Sequence, residues 1–384
     1  MNKYISVSFF WGFSLLFISS YSYFLSLTFI ILSFPLVHHL RIDFLACIYF
    51  VFTLSYIQSA FIPQSDSISY LYYFEHLSYE NNIGGLKDLN VGYYSLNFLG
   101  RLFFDKENFF FINSMFLYSM LLFLIHRLDK QLILLLFILV CFLGFINNIN
   151  FLIRQYYSSI ILLIAFSCGT DFKRSCLVRG ILYIVALSFH LSAVLFMPVT
   201  LRKVREKILN NWFKLIIISI AISLVFNISF LHYLYTFSDV FPLFEKLRYY
   251  QSIVNITPVA PHRLAINILL FLFLMGVNIK HLSERDKIFQ ALLIYSMILY
   301  ISTSGVSVLA SRLGFFIEFF LGVFVYIPLK YRDKYSFFTI KFNPLVMIWL
   351  YVFLQAIYWG SMNEKSHTIK YFNGELLSSG WFLL

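Results

Sequence analysis

Long apolar runs recur along this chain from one end to the other, and each is long enough to cross a hydrocarbon layer of about 30 Å as a helix. Hydrophobic residues make up 60% of the 384 positions and charged residues only 12%, so few side chains interrupt the runs. In lipid every backbone polar group must be paired within the protein, which favours helices for runs of this length. The sequence therefore predicts an all-α, multi-pass membrane protein.

The apolar runs predict about 10 to 12 membrane spans in one integral membrane domain, residues 1–384, because no Pro-, Gly- or Ser-rich linker divides the chain. The first run, 4–37, has room for two short spans that turn near Ser19 and Ser20, and we expect it to be a retained anchor. The other predicted spans are 43–61, 108–125, 131–147, 150–168, 212–230, 263–279, 288–304, 306–327 and 343–360.

Most of the 29 lysines and arginines lie in the short segments that connect these runs. The basic segments are 38–43, 126–130, 171–179, 201–207, 280–287 and 330–341. The positive-inside rule predicts that they face the cytoplasm, so the net charge of +11 indicates topology and needs no nucleic-acid partner. The two longest exterior segments are then 62–107 and 231–262, and we expect the functional surface on that side.

One apolar stretch, 180–200, lies between two strongly basic segments, 171–179 and 201–207. A single crossing would put these two segments on opposite sides of the membrane, against the positive-inside rule. A re-entrant hairpin of two short helices that meet near 188–192 keeps both in the cytoplasm, and a protein cavity tolerates such a break at membrane depth. We therefore predict a hairpin here.

Arg154 is a permanent cation in the almost wholly apolar stretch 150–167. A cation at mid-bilayer costs about 2.5–3.5 kcal/mol, and less near the interface, so its presence needs a reason. One reading is structural: Arg154 reaches the outer headgroups or pairs with Glu318 of another helix. The other is functional: Arg154 faces a polar cavity and holds an anion. The expected neutral hydrogen-bonding partners are its neighbours Gln155 and Tyr156, and Tyr157 and Ser158 at i+3 and i+4.

Other polar residues lie at membrane depth or at the outer rim. Arg312 is near the outer end of a predicted span, where it is either an interfacial anchor or a second anion-binding group. His190 lies in the suspected hairpin and is either a packing residue or a base. Asp66 follows a proline and shares a helix face with Tyr70; it is either an N-cap or a functional carboxylate.

Two further arginines belong to the predicted outer side. Arg248 lies among tyrosines in FEKLRYYQS, and Arg263 follows the exterior segment 231–262 directly. A cation among aromatic side chains suits contact with a diphosphate or a sugar, and it is equally typical of an interfacial aromatic belt.

Several chemistries have no motif in this chain. There is no phosphate-binding glycine-rich loop, no H-E-x-x-H and no G-x-S-x-G, so a nucleotide loop, a zinc site of that type and a hydrolase elbow are not indicated. The cysteines show neither metal spacing nor a paired exterior pattern, and we interpret them as small hydrophobes. They are Cys47, Cys141, Cys168 and Cys176.

The order of these features resembles the Wzy-type polysaccharide polymerases, especially the EpsG branch, over roughly residues 60 to 330. The elements are Asp66-x-x-x-Tyr70, VGYYSLNFL (91–99), NFLIRQYYSSIILL (150–163), ALSFHLSAVLFMP (186–198) and ASRLGFF (310–316). The Arg-Gln pair followed by Phe-His-x-Ser-Ala is the most specific of them. The chain departs from the branch at Tyr156 and Tyr157, where smaller apolar residues are expected.

The resemblance implies a metal-independent, cofactor-free membrane glycosyltransferase with a GT-C-like fold. Such an enzyme joins undecaprenyl-diphosphate-linked oligosaccharide units at the outer face of the bacterial cytoplasmic membrane, and so builds O-antigen, capsule or exopolysaccharide. Arginine binds phosphate oxygens in a bidentate fork, so Arg154 and Arg312, helped by Arg248 or Arg263, are the expected diphosphate ligands. The attacking sugar hydroxyl needs a base, and the sequence leaves two candidates. These are His190 and Asp66.

The resemblance also implies partners: membrane lipid, a flippase and a chain-length regulator. Two rival functions remain open from the sequence. A lipid-linked oligosaccharide flippase or transporter also needs arginines in an aqueous cavity, although many such proteins have repeated halves. A membrane O-acyltransferase that modifies surface polysaccharide would place His190 in a cavity open to a cytoplasmic acyl donor.

Overall fold

The fold is described from a computed structural model for residues 2–19, 29, 32–59, 66–76, 90–141, 152–168, 173–225, 258–337, 340–341, 343–346 and 348. These residues are mainly helical, which agrees with the predicted all-α class, and they also include a short β-hairpin. The chain divides into two compact units. The first comprises Met1–Cys168, Lys173–Ala193 and Val346–Leu384, and the second comprises Gly169–Phe172 and Val194–Leu345.

The described helices of the first unit run from the N-terminal region to the middle of the chain. They are α1 (Asn2–Ser19), α2 (Phe34–His39), α3 (Asp43–Ser59), α4 (Asp66–His76), α5 (Val91–Phe103), α6 (Lys106–Leu128), α7 (Ile133–Val140), α8 (Ile153–Ser167) and α9 (Lys173–Phe189).

The second unit contains several short helices around one long helix, α14. Its elements are α10 (Ala193–Phe196, whose first residue belongs to the first unit), α11 (Arg202–Asn210), α12 (Trp212–Val225), α13 (Pro261–Leu274), α14 (Glu284–Ser302), α15 (Ser307–Leu313), α16 (Phe315–Phe319), α17 (Leu321–Phe324), α18 (Tyr326–Lys330), β1 (Ser336–Phe337) and β2 (Ile340–Lys341). Three 3₁₀ turns join them, Met197–Thr200, Ile279–His281 and Arg332–Lys334. The two strands pair antiparallel.

Helix α8 forms the centre of the first unit, where it packs against α6 and α9. Its side chains are buried on every side of the helix, with one exception described below. Helix α9 packs one face on α8 and exposes an apolar stripe on another, in which Leu177, Ile181 and Ile184 are 69%, 52% and 69% exposed. Large contiguous apolar surface of this kind is unstable in water and is typical of a face turned to lipid.

The second unit is built around α14, which packs against α11, α12, α15 and α16. The first turn of α14 is charged, and its Asp286 is fully buried. This carboxylate accepts hydrogen bonds from Lys330 Nζ at 2.6 Å and from the hydroxyls of Tyr331 at 2.7 Å and Tyr326 at 2.9 Å. The segments 280–287 and 330–341, which the sequence predicts to be cytoplasmic, therefore meet in one buried polar cluster.

Among the described helices one is long and apolar enough to cross a membrane alone, Asn108–Leu128 within α6. Two other helices are long and apolar enough only when they are taken together as one span. They are Arg202–Asn210 and Trp212–Leu224, which are bent by 81° at Asn211, as in a broken span or a re-entrant loop. Shorter apolar helices occur at Asp43–Tyr56, Leu177–Phe189, Pro261–Leu274 and Leu321–Lys330. The count of 10 to 12 spans remains a prediction.

One detail of the predicted layout needs correction. The span predicted at 306–327 is a series of short helices, α15 to α18, that break at Gly314, Phe320 and Val325. The basic segment 201–207 lies largely in helix α11, and much of 171–179 lies in the first turns of α9. Between Phe189 and Ala193 the helix does break, as the hairpin prediction requires. The return of the chain to the cytoplasmic side remains a prediction.

Candidate functional site

Arg154 lies in the first turn of α8, and it is the one residue of Ile153–Ser167 that is not buried. The other side chains of this helix are enclosed by protein, so the helix is fixed in place and the guanidinium emerges from it into accessible space. Leu152, the N-cap, provides no side-chain hydrogen bond to the first turn. A helix N-terminus carries a partial positive charge, which adds to that of the arginine instead of neutralising it. Together they favour an anion at this position.

Tyr70 of α4 holds the guanidinium in place. Arg154 Nε donates a hydrogen bond to the Tyr70 hydroxyl at 3.3 Å, and Arg154 Cζ lies 5.4 Å from the centre of the same ring. Tyr70 is itself buried, so its position is fixed by the surrounding helices. A cation–π contact and one hydrogen bond orient the arginine without neutralising its charge. Tyr70, predicted as a supporting residue, therefore contacts Arg154 directly.

A row of aromatic rings connects this arginine to the end of α9. Tyr70 packs edge-on against Tyr93 with ring centres 5.3 Å apart, and Tyr93 lies 6.4 Å from Tyr157. Tyr157 in turn stacks on Phe189 at 5.0 Å. Contacts of this type contribute about 0.5–1.5 kcal/mol each beyond burial of the rings, so they stabilise the relative positions of α4, α5, α8 and α9.

Tyr157 has a different role from the one predicted. Its hydroxyl donates to Asn113 of α6, lying 2.6 Å from the side-chain Oδ1 and 2.9 Å from the backbone oxygen. Ser158, one residue further on, donates to the carbonyl oxygen of His190 at 3.2 Å. Neither side chain therefore assists Arg154 through these bonds. They join α8 to α6 and to the turn that follows α9, which explains why a tyrosine suits position 157.

His190 lies in the turn after α9, and its ring orientation is fixed by Ser192. The Ser192 backbone N–H donates to His190 Nδ1 at 3.2 Å, and Ser192 Oγ lies 2.7 Å from the same nitrogen. A backbone N–H is always a donor, so Nδ1 is an acceptor. The neutral ring then carries its proton on Nε2. In this tautomer Nε2–H can donate a hydrogen bond, and it has no lone pair with which to accept a proton.

The start of α5 lies directly against the end of α9. Asn90 Nδ2 donates to the carbonyl oxygen of Phe189 at 3.1 Å. A Cβ atom at Gly92 would lie 2.5 Å from Ser188 Oγ and 2.9 Å from the Ser188 backbone carbon, so only glycine allows this approach. The positive end of α5 and the negative end of α9 also attract each other. These contacts position the His190 turn beside the helices that carry Tyr70 and Arg154.

Some buried polar atoms in and beside Tyr93 make no hydrogen bond within the described part of the chain. The hydroxyl of Tyr93, Oδ1 of Asn97 and Nδ2 of Asn113 are all buried and have no hydrogen-bond partner within the described part of the chain. The side chains of Asn97 and Asn113 lie beside the Tyr93 hydroxyl. Buried polar groups usually find a partner in the protein or in ordered water. These three side chains therefore form a buried polar cluster in the interior next to Arg154.

The second unit contains another arginine cluster. Arg263 Nη2 donates to Glu318 Oε2, whose side chain is only 1% exposed. Tyr300 lies beside this carboxylate, and its hydroxyl accepts a hydrogen bond from Asn267 Nδ2 at 3.0 Å. Glu318, the predicted structural partner of Arg154, is paired with Arg263 within the second unit. Its ion pair with Arg154 remains a prediction.

The remaining predicted residues are placed as follows. Gln155 is buried in α8, and Arg312 is half-buried in the last turn of α15 in the second unit. Asp66 is the first residue of α4, and Tyr70 follows it four positions later. Arg248 lies outside the described residues. Arg154, Tyr70, Tyr157 and the His190 turn are thus brought together in the first unit.

Sequence reasoning missed Tyr93, Asn113 and Ser192. Asn113 could have been identified from the sequence, since a side-chain amide inside an apolar span is costly unless it is hydrogen-bonded. Ser192 is the serine of the Phe-His-x-Ser-Ala motif, but its contact with the His190 ring depends on the geometry of the turn and was not predicted. In the part of the chain that the structure describes, no three His, Cys, Asp or Glu side chains lie close enough to form a metal site.

Comparison with protein-family models identifies the class of this protein as a Wzy-like polysaccharide polymerase. The matching family is the EpsG family, and its model covers residues 43–373. The chain therefore belongs to the EpsG family, and the match extends beyond residues 60–330, on which the resemblance rests. No curated protein and no solved structure matches the chain significantly.

Proposed function

We propose that this protein joins undecaprenyl-diphosphate-linked oligosaccharide repeat units at the outer face of the bacterial cytoplasmic membrane, as a multi-pass glycosyltransferase. Family membership supports a polysaccharide polymerase. The main observation for the site is Arg154, a partly exposed cation in the uncapped first turn of an otherwise buried helix. Lipid diphosphate is the anion that such a polymerase must bind and release, and arginine binds it without losing its proton.

The proposed reaction transfers a glycan from its lipid diphosphate to a hydroxyl of the next unit. The bond between the anomeric carbon and the diphosphate oxygen breaks, the hydroxyl oxygen forms the new bond, and its proton passes to a base. Negative charge develops on the leaving diphosphate, which Arg154 stabilises electrostatically. Arg312 and Arg263 of the second unit, and Arg248, are further proposed ligands for the diphosphate. No cofactor is required by this scheme.

The tautomer of His190 favours Asp66 over His190 as the base. With its proton on Nε2, the neutral ring is a hydrogen-bond donor, suited to a diphosphate or sugar oxygen. Asp66, at the start of the helix that also carries Tyr70, is then the better candidate for the base. The buried polar atoms of Tyr93, Asn97 and Asn113 supply further hydrogen bonds for sugar hydroxyls.

The direct test uses purified protein in liposomes with an undecaprenyl-diphosphate-linked repeat unit. We expect a ladder of longer lipid-linked products. Arg154→Lys keeps the charge but loses the fork, so its rate should fall at least about tenfold, which is about 1.4 kcal/mol of transition-state stabilisation. Lys287→Arg, on the predicted cytoplasmic side, is the control and should be fully active. An Arg154→Lys enzyme with normal activity would contradict the bidentate diphosphate contact.

The same preparation separates the alternatives. A flippase would move labelled lipid-linked units across the liposome membrane without lengthening them, and an acyltransferase would need an acyl donor to change their mass. In cells we expect the polymerase to receive its substrate from a flippase and to act with a chain-length regulator. Co-purification of either with the tagged protein tests those two partners.

A further inference from the structure

An open pocket lies in the first unit, away from Arg154, where the ends of α2, α3, α6 and α7 meet. Its volume is about 490 Å³, which is within the range of about 300–1,000 Å³ that is usual for ligand pockets. Its lining includes four basic side chains and one acidic one. They are Arg41, Lys130, His38, His126 and Asp43. The proposed polymerase reaction makes no use of them.

The charges in the pocket do not cancel. Asp43 is engaged by His38, whose Nδ1 lies 3.2 Å from Oδ1 of the carboxylate. His38 and His126 lie in the last turns of α2 and α6, where they also face the negative ends of those helices. Arg41 and Lys130 lie beyond those helix ends and have no ion-pair partner among the described residues. They leave an excess of positive charge that is available to an anion.

The backbone holds these cations at the pocket mouth. Arg41 has φ of 58°, a left-handed conformation that is uncommon for a residue other than glycine and that ends the chain reversal between α2 and α3. Its backbone N–H donates to the carbonyl oxygen of His38 at 3.1 Å. Ile133, in the first turn of α7, also lines the pocket, so the positive N-terminal end of that helix lies beside it.

The rim of the pocket is apolar. Phe44 lines the pocket, is 53% exposed and contacts the ring of His126, with ring centres 6.4 Å apart. Leu45 beside it is 62% exposed, and Phe123, one helical turn before His126, is 51% exposed. Exposed aromatic and aliphatic side chains next to unpaired cations match a molecule with an anionic head and an apolar tail.

We propose that this pocket binds an anionic phospholipid, with its phosphate on Arg41 and Lys130 and its acyl chains along Phe44 and Phe123. The shared chemistry is that of a phosphate group, and the apolar rim favours a lipid over a free phosphate. Both basic segments, 38–43 and 126–130, are predicted to be cytoplasmic, so the lipid belongs to the inner leaflet. The site would attach the first unit to anionic membrane independently of polymerase activity.

The test measures lipid binding to the purified full chain by native mass spectrometry and by thermal unfolding in detergent. Phosphatidylglycerol should bind and raise the unfolding temperature, whereas phosphatidylcholine, which has no net charge, and inorganic phosphate should not. Arg41→Gln combined with Lys130→Gln should weaken phosphatidylglycerol binding at least about tenfold, which is about 1.4 kcal/mol. Equal stabilisation by inorganic phosphate would overturn the lipid assignment.

The matched control removes two cations elsewhere. Lys203 and Lys207 are exposed on α11, so Lys203→Gln with Lys207→Gln removes the same charge from the second unit and should leave binding unchanged. Equal loss in this control would show that net charge alone attracts the lipid, and would overturn the pocket. If the pocket variant does not fold, Gln131→Glu adds an acidic group at the exposed lining and keeps both cations. Normal lipid binding by that variant would also contradict the proposal.

Discussion

At the scale of single residues, the arrangement around Arg154 depends on which atoms are already engaged. Tyr157 bonds to Asn113 and Ser158 to the His190 carbonyl, so both hydroxyls join α8 to neighbouring segments. Tyr70, which is 84 positions from Arg154 in sequence, is the residue that orients the guanidinium. A phosphate ligand needs a guanidinium fork that is held in place, and the contact with Tyr70 holds this one.

The tautomer of His190 leads to a prediction about amide substitutions. If His190 acts through Nε2–H, His190→Gln should keep a measurable fraction of the polymerase rate, because the glutamine amide reaches the position of Nε2 and donates there. His190→Asn, whose amide matches Nδ1, should lose nearly all activity. The rate of ladder formation with purified protein measures both. Equal and complete loss in the two variants, at normal protein levels, would indicate that His190 is the base after all.

Sequence reasoning reached the individual site residues unevenly. Arg154 was found because a cation in an apolar run is unusual, and Tyr70 because it shares a helix face with Asp66. Ser192 and Tyr93 lie in motifs that the sequence showed, but the fold creates their contacts with His190 and Tyr70, and spacing did not predict those contacts. The ion pair between Arg263 and Glu318 was not predicted either, since the two residues are 55 positions apart in the sequence.

At the scale of helices, the apolar pattern predicted where helices form more accurately than where they begin and end. The predicted span 150–168 matches α8, and 43–61 matches α3, because hydrophobic length determines where a membrane helix forms. The pattern failed at 306–327, where Gly314 packs so closely on Tyr300 that a Cβ atom would lie 2.5 Å from that residue. Hydropathy does not register this packing or the breaks at Gly314, Phe320 and Val325.

The polar cluster at the start of α14 gives a stability prediction. Burial raises the pKa of Asp286, but hydrogen bonds from Lys330, Ser283 and Tyr331 outweigh it and lower the pKa from 3.8 to about 2. Asp286→Asn leaves Lys330 without its carboxylate, and breaking a buried pair costs about 3–5 kcal/mol. The temperature of thermal unfolding in detergent should therefore be clearly lower for Asp286→Asn than for the parent protein. Asp333→Asn is the control, because that carboxylate is 94% exposed, and it should unfold like the parent protein.

The same cluster sets the expected pH dependence. A carboxylate whose pKa is lowered in the folded state stabilises the protein fully above its ordinary value of 3.8. This contribution is lost as the pH falls from there through about 2. Parent protein and Asp286→Asn should therefore differ in unfolding temperature at pH 7 and converge as the pH approaches 2. A difference that persists unchanged at pH 2 would assign the effect to packing.

At the scale of the whole molecule, composition was enough to predict a helical membrane protein, and the order of motifs was enough to predict its family. The division into two compact units was not visible in the sequence, because no linker marks it and the boundary falls at Ala193 and Val194, inside α10. The proposed diphosphate ligands belong to both units, Arg154 to the first and Arg312 to the second.

The proposed topology is testable with single cysteines in a background that lacks the native ones. A cysteine at Asp88 should react with an impermeant thiol reagent added outside intact cells, since that position belongs to the predicted exterior segment 62–107. A cysteine at Lys203 or Lys334 should not react, because both belong to basic segments. Labelling at Lys203 from outside would remove the re-entrant hairpin and reverse the side assigned to the spans before it.

The most direct measurement is the surface glycan of cells that carry Arg154→Ala at normal protein level. Without the cation the lipid diphosphate is not held, while synthesis and flipping of the units belong to other proteins. We predict that the glycan ladder collapses to single units or none, with lipid-linked single units accumulating in the outer leaflet. Arg332→Ala, an exposed arginine on the predicted cytoplasmic side, should keep the full ladder. An unchanged ladder in the Arg154→Ala cells would contradict the role assigned to this residue.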